Sequence, residues 1–336
     1  MKKLMIYGAA GYTGGMVAEH AASAGLDLVF AGRAQSRAAL ETLAQRLGAE
    51  ARFFSLDDSD AIHLGLEGVC VLLNAAGPFM VTAEPLMAAA IRAGVHYLDF
   101  SAELGTYRQA MALDGQARAA GVMLLPGSGG SVAMLGSLAG HAAVRVKDPK
   151  RIRIALEVAG GMSRGSVTSA TQNVVAEMLH LVDGELVARS PEELQVFDFG
   201  NGPQSSFPVT LPDLLTIHHA TGVRDIETFV HVTAGAFPAG DVAELPAGPS
   251  PEERAANRYH AAVEVTDADG SVARSVLDTV NGYTFTAMAA AEAARRVLCG
   301  ELRHGFQTPA GVFGHGFAET IADTRIIDAA TIEGDV

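Results

Sequence analysis

Residues 5–20 read MIYGAAGYTGGMVAEH. Leu4 to Tyr7 form an apolar run, and the chain then meets Gly8, Gly11, Gly14 and Gly15 before a helix-like stretch. In Gly8-Ala9-Ala10-Gly11-Tyr12-Thr13-Gly14 the glycines stand at the first, fourth and seventh places. The first permits a tight turn out of a strand, the second lets the backbone approach a pyrophosphate, and the third lets the next helix pack close to the sheet. The helix N-terminus would then present unpaired N–H groups and a partial positive charge to the phosphates. Gly8, Ala10, Gly11, Tyr12, Thr13 and Gly14 are therefore cofactor-binding candidates. The alternative is a strand-to-helix turn with no ligand.

The next hundred residues favour the ligand. Strand-like runs recur at Leu4–Tyr7, Leu28–Ala31, Arg52–Leu56, Val69–Asn74, Val95–Phe100 and Val122–Leu125. Alanine-rich helical stretches separate them at Gly14–Ala24, Ser36–Leu47, Asp60–Leu66, Ala83–Ala93 and Thr106–Ala120. Six strands alternating with helices predict an α/β fold with a Rossmann-type, doubly wound parallel sheet.

Bulk properties exclude several partner classes. The 336 residues suffice for two domains. A net charge of −14 argues against nucleic acid and anionic membranes, which both reward a basic face. No apolar run reaches the ~18 residues of a membrane helix. Lys2 and Lys3 imitate a secretory leader, but the apolar stretch behind them stops at Gly8. Cys70 and Cys299 make no disulfide framework and fit a cytoplasmic location. Without an HExxH motif, paired cysteines or a carboxylate cluster, no metal is expected.

The end of the second strand bears on which nucleotide binds. An NAD site usually places an acid there, on the ribose 2′-hydroxyl. This chain reads Phe30-Ala31-Gly32-Arg33, with Ser36 and Arg37 close behind. A guanidinium can pair with a 2′-phosphate and stack on adenine, so NADP(H) is the expected cofactor. The alternative for Arg33 is a solvated surface residue. Asp57, ending the third strand, either contacts the adenine or caps the next helix.

Asn74-Ala75-Ala76-Gly77-Pro78-Phe79 leaves the fourth strand at the carboxyl edge, where a nicotinamide ribose would pass. Small residues there let a cofactor lie against the backbone, and Phe79 either walls the nicotinamide pocket or belongs to the core. Together with Gly8–Gly14 and Ala31-Gly32-Arg33, this stretch resembles the saccharopine dehydrogenase-like oxidoreductases. Gly94–Glu103, Pro126-Gly127-Ser128-Gly129 and Thr308-Pro309-Ala310 with Gly314 agree, although the family often has Cys where Ser128 stands. The resemblance implies the fold and a nicotinamide cofactor, not a substrate. True saccharopine dehydrogenases use a lysine and a histidine as acid and base. Lysine occurs here only at positions 2, 3, 147 and 150, none in a plausible cleft, so a lysine-pathway enzyme is not expected. The Tyr-x-x-x-Lys mechanism of short-chain reductases is excluded too, because Ala143 and Val146 stand where the tyrosine would be. Semialdehyde reductases need a thiolate, and neither cysteine looks activated.

The domain boundaries follow: residues 1–133 bind the dinucleotide, completed by the C-terminal segment 284–336, and residues 134–283 form a substrate and dimerisation domain. Arg151–Ala159, Glu185–Ala188, Thr228–Thr233, Ala261–Thr266 and Val272–Asp278 read as strands, with a hairpin turn at Asp267–Gly270. They predict an α+β domain with a mainly antiparallel sheet, suited to closing a substrate cleft and pairing in a homodimer. Val167–Leu181 and Thr284–Leu298 read as helices. Phe199–Asp213 and Phe237–Ser250 are either lids or exposed connections.

Three residues are catalytic candidates. Glu103 follows the fifth strand and would transfer a proton, order the cofactor, or form a structural salt bridge. His219, beside His218, would reach the cleft, or sit on a helix surface or in the core. Arg164 would hold a substrate carboxylate. The expected function is NADPH-dependent hydride transfer to a C=N, C=C or C=O bond of a small or medium metabolite, without metal. The competing expectation is a non-catalytic NADP(H)-binding regulator or scaffold.

Overall fold

The structure, a computed structural model, describes residues 2–173, 178–233 and 245–329. The chain divides into two compact units, Met1–Gly130 with Thr286–Gln307, and Ser131–Phe285 with Thr308–Val336.

In the first unit, strands β1 (Lys3–Tyr7), β2 (Asp27–Gly32), β3 (Glu50–Phe53), β4 (Val69–Asn74), β5 (His96–Asp99) and β6 (Met123–Leu125) alternate with helices. The helices are α1 (Tyr12–Ser23), α2 (Arg37–Leu47), α3 (Ser59–Gly65), α4 (Phe79–Ala93), α5 (Leu104–Ala112) and α6 (Asp114–Ala119). A seventh strand, Gly305–Phe306, completes a wholly parallel sheet in the order Gly305–Phe306, β6, β5, β4, β1, β2, β3. Both faces of β1, β4 and β6 are buried, as continuous apolar strands between helical layers require. The one long helix expected over Thr106–Ala120 is two, α5 and α6, with Leu113 between them.

The second unit begins with α7 (Gly130–Ala143), which is buried almost all round. It continues through β7 (Pro149–Val158), α8 (Arg164–Asn173), β8 (Leu179–Val182), β9 (Glu185–Ala188), β10 (Gln195–Asp198), β11 (Pro203–Pro208), α9 (Asp213–Thr221) and β12 (Asp225–Val232). Then follow α10 (Pro251–Ala256), β13 (Tyr259–Asp267), β14 (Val272–Thr279), α11 (Gly282–Leu298), which contributes to both units, β15 (the Gly305–Phe306 strand of the first), α12 (Pro309–Phe313) and β16 (Arg325–Asp328). The second sheet runs β10-β11-β12-β7-β13-β14-β16, with β8 pairing β12 and β9. Every pair is antiparallel except β12 with β7. Ile152, Ile154 and Leu156 line one buried face, while Ala155, Phe197, Phe199, Phe229 and Ala262 cluster on the other.

Three expectations change. The C-terminal segment does not all complete the first unit, because β16 pairs with β14 in the second sheet. The helix expected over Val167–Leu181 ends by Asn173 as far as the described residues go, and Leu179–Val182 is a strand. The hairpin signal there, Asp183-Gly184, has both residues at positive φ (50° and 82°), which suits a tight two-residue turn. Phe199–Asp213 is no free loop: Phe199 is buried, and Pro203–Pro208 is a strand with prolines at its two ends, where a missing N–H costs least. Of the other proposed loop, residues 237–244 lie outside the described residues, and Ser250 opens α10 through a capping box with Glu253. Among the described residues no helix is long and apolar enough to cross a membrane.

Candidate cofactor site

The glycine loop joins β1 to α1. Gly8 has φ of +90°, and its N–H donates to the Ala31 carbonyl at 2.7 Å. The Tyr7 carbonyl accepts from the Ala75 N–H at 2.7 Å. The end of β1 is thereby stitched to β2 on one side and to the loop after β4 on the other. A Cβ on Gly8 would stand 2.9 Å from Ala75 and Ala76, and one on Gly14 would stand 2.4 Å from the Gly8 carbonyl oxygen. Both approaches are closed to any larger residue. Gly11 is the N-cap of α1, no side chain caps the helix, and its first turn holds no acid. Ala10 and Gly11 are exposed, with Tyr12 and Thr13 half-buried behind them. An uncapped, acid-free helix N-terminus beside exposed small residues suits an anion.

At the end of β2, Arg33 is exposed, and among the described residues no hydrogen bond or ion pair holds its guanidinium. Arg37 is engaged: it pairs with Glu41 at 3.1 Å and stacks 3.9 Å over the Phe53 ring. Asp57 accepts from the Ser55 hydroxyl at 3.0 Å, and the residue that caps α3 is Asp58, through the N–H groups of Asp60 and Ala61. The capping alternative for Asp57 thus falls to its neighbour.

Behind β4, β5 and β6 the loops are tied by buried side chains. Asn74 donates to the hydroxyls of Thr82 (3.0 Å) and Tyr97 (3.2 Å), and its oxygen accepts from the Ala76 N–H at 3.0 Å. Tyr97 in turn donates to Asp99 at 2.8 Å. The other Asp99 oxygen takes the N–H groups of Ser101 and Gly127, each at 2.9 Å. Burial pushes the Asp99 carboxyl up to about 6, against the pull of those two N–H groups and the Tyr97 hydroxyl, with Glu103 adding a smaller upward push. Ser128 donates its N–H to the Asp99 carbonyl at 2.6 Å and its hydroxyl to the Leu125 carbonyl at 2.8 Å.

The small residues of Asn74–Phe79 stand at the surface of this network, with Ala75, Ala76 and Pro78 half-buried and Gly77 exposed. Phe79 is buried and meets the Phe100 ring edge-on at 5.5 Å. It opens α4, which has no capping side chain of its own. The cap comes from Glu103: its carboxylate accepts from the N–H of Phe79 at 3.2 Å and of Met80 at 2.7 Å. Glu103 is itself buried, and its N–H donates to the Ser101 hydroxyl at 3.1 Å.

The other two catalytic candidates belong to the second unit. Arg164 is exposed, and its Nε and Nη2 both donate to the Leu245 carbonyl. His219 is exposed near the end of α9, while the neighbouring His218 Nδ1 meets the Val223 carbonyl at 2.8 Å. Sequence reading missed Tyr97 and Asp99. The available signal was their spacing of two on a strand, which puts two buried polar side chains on one face at the carboxyl edge.

Residues 4–125 match the saccharopine dehydrogenase NADP binding domain family. The trans-acting enoyl reductases of Mycobacterium bovis and Mycobacterium tuberculosis are 35% identical over 108 residues, 30% of this chain and 25% of theirs. The match thus spans about a quarter of the length of those relatives. The apo saccharopine dehydrogenase (L-Glu forming) of Saccharomyces cerevisiae superimposes with a TM-score of 0.67 at 12% identity, covering 98% of this chain and 100% of that one. At that identity the likeness establishes a shared fold.

The Asp99 carboxyl titrates near 6 when folded and near 3.8 otherwise, so the folded state holds an extra proton in that window. Its contribution is most favourable below the unfolded value and declines as pH rises through about 6. Asp99→Asn should therefore remove a decline of up to ~3 kcal/mol between pH 4 and 6. Urea denaturation across that range measures it. Parallel profiles for the variant and wild type would show that Asp99 does not titrate this way.

Proposed function

Because residues 4–125 are a domain of the saccharopine dehydrogenase-like NAD(P)-binding family, we propose that this chain is an NADPH-dependent oxidoreductase. It would transfer hydride to a C=N, C=C or C=O bond of a small or medium metabolite. The observation that carries the reading is the glycine loop: a positive-φ Gly8 packed on Ala75 and Ala76, leading into an uncapped, acid-free helix N-terminus. The residues fit a dinucleotide. Gly8, Ala10, Gly11, Tyr12, Thr13 and Gly14 would hold the pyrophosphate, and Asn74, Ala75, Ala76, Gly77 and Pro78 would face the nicotinamide ribose. The bound cofactor supplies the hydride. The name of the mycobacterial relatives, enoyl reductase, supports the C=C member of the range.

Selection of NADPH rests on Arg33, the unpaired guanidinium at the end of β2, with Arg37 behind it and Asp57 beside the adenine. Glu103 enters as a positioning residue: by capping α4 from the next loop, it fixes the backbone of Phe79 and Met80. Arg164, whose fork lies on the Leu245 carbonyl, and His219 gain no catalytic part in this reading. A side chain or a water supplies the proton. Pairing of two chains in a homodimer is supported by the β10–β11 hairpin, where Leu194, Val196 and Phe207 share a face and stand 59%, 61% and 40% exposed.

Three measurements test this. Arg33→Ala should weaken NADPH binding by ~1.5–3 kcal/mol in calorimetry, the range for a charge-assisted contact, and leave NADH binding nearly unchanged. Equal losses for both would refute the 2′-phosphate role. Glu103→Gln should lower cofactor affinity while turnover at saturating cofactor survives. A fall of ~10²–10⁴ in turnover with affinity intact would instead make Glu103 the general acid. Light scattering should give the mass of two chains, and Val196→Lys should reduce it to one; a monomeric wild type would exclude the dimer.

A further inference from the structure

The carboxyl edge of the first sheet divides by chemistry. At one end, the loops after β2 and β3 expose Arg33, Arg37, Asp57, Asp58 and Asp60. At the other, the loops after β4 and β5 expose Gly77, Met80, Val81 and Ala102, with Phe100 half-buried among them. None of the exposed or half-buried residues in Ala75–Ala83 and Phe100–Gly105 has a charged or hydrogen-bonding side chain. The two acids nearby, Asp99 and Glu103, are 0% and 4% exposed and hold backbone N–H groups.

Met80 and Val81 make this end apolar as well as uncharged. Both stand in the first turn of α4, 45% and 70% exposed, in a turn that holds no acid. The Glu103 carboxylate takes the Met80 N–H at 2.7 Å, so these side chains leave a fixed turn of helix. Met80 lies over Gly105, where a Cβ would stand 2.7 Å from its methyl group. The missing side chain at Gly105 leaves the thioether a seat, while its outer side stays open. A methionine so placed adapts to apolar surfaces of varied shape. Lone exposed apolar residues are ordinary on any protein. These two adjoin each other, follow directly on Gly77 and Pro78, and stand at the strand ends where parallel sheets bind ligands.

The next step rests on the oxidoreductase reading above, in which the Asn74–Phe79 loop faces the nicotinamide ribose. The substrate's reducible bond then lies at this end of the edge, beside a surface with no side chain to hold a phosphate or a carboxylate. We infer that Met80 and Val81 form an apolar subsite for the body of the substrate, an alkyl or aryl group next to the reducible bond. A charge at that position is selected against, because nothing there replaces its water.

The test uses the full chain with NADPH and the trans-2-alkenals from four to ten carbons, which offer both a C=C and a C=O bond. NADPH binding is measured first by calorimetry. The kcat/KM for NADPH oxidation should rise about two- to fourfold with each methylene that reaches the patch. An alkenal of equal length ending in a carboxylate should react on the order of tenfold more slowly. Val81→Glu adds an acid to the first turn of a helix, where it is tolerated. It should keep NADPH affinity and flatten the dependence on chain length. Absence of NADPH binding would sink the oxidoreductase reading and the subsite with it. Bound NADPH with rates indifferent to length, or a length dependence that survives in Val81→Glu, overturns the subsite alone. If NADPH binds and no alkenal reacts, calorimetry of butanol, hexanol and octanol on the NADP+-loaded protein decides. Affinity that rises with length and is lost in Val81→Glu upholds the subsite, and any other pattern overturns it. A halved mass of Val81→Glu in light scattering would assign the patch to contact between copies and overturn it too.

Discussion

The carboxylate of Asp99 is the point on which the candidate cofactor site depends. One of its oxygens takes the backbone N–H of Ser101, just beyond β5, and of Gly127, just beyond β6. The other takes the Tyr97 hydroxyl, which is held by Asn74 at the end of β4. Three consecutive crossovers of a parallel sheet thus leave their strands fixed to one another by a single buried group. Parallel strands bring ligands to their carboxyl ends, so the loops there must be ordered without help from regular pairing. A buried network with every member satisfied gives that order, since each bond is strong in a medium of low dielectric.

The geometry propagates outward from this anchor. Ser101, held by Asp99, accepts the Glu103 N–H, and Glu103 caps α4 through Phe79 and Met80. The start of α4 sets the course of Ala75–Pro78, and Ala75 and Ala76 pack against Gly8 at a distance no Cβ would tolerate. The glycine loop and the Asn74–Phe79 loop therefore form one surface. Gly8 serves the turn and also the neighbouring loop, a second demand that the spacing of glycines alone does not express.

The first sheet was largely legible because its signal is local. Apolar runs four to six residues long, separated by helical stretches, identify strands buried on both faces, and all six lie within a few residues of their expected places. Helix ends were less legible where a distant residue makes them. Nothing in Pro78–Thr82 reveals that α4 begins at Phe79, because its cap stands 24 residues further on. α7 was invisible for another reason: buried almost all round, it lacks the polar face that gives a helix its period. In the second unit, β8, β10, β11 and β16 are short, and several of their residues are polar or proline, so their pairing partners decide the structure more than their own sequences do. At the candidate site, the glycine turn was readable from the sequence. Tyr97 and Asp99 were visible only as letters in a motif, since their roles come from Asn74, Ser101 and Gly127 brought together by the fold.

Asp99 and Asp213 show what burial does to the same side chain in two settings. Both are removed from water, and in both the removal favours the protonated form. Asp99 meets three donors placed by backbone and tyrosine, which return part of what hydration gave its charged form. It settles near 6. Asp213 meets only weak opposition from Ser131 and its own N–H, and it settles near 7. Neither carboxylate is comfortable when ionised. Asp99 offsets the cost by ordering three loops of the candidate site. Asp213, with fewer donors around it, keeps more of that cost.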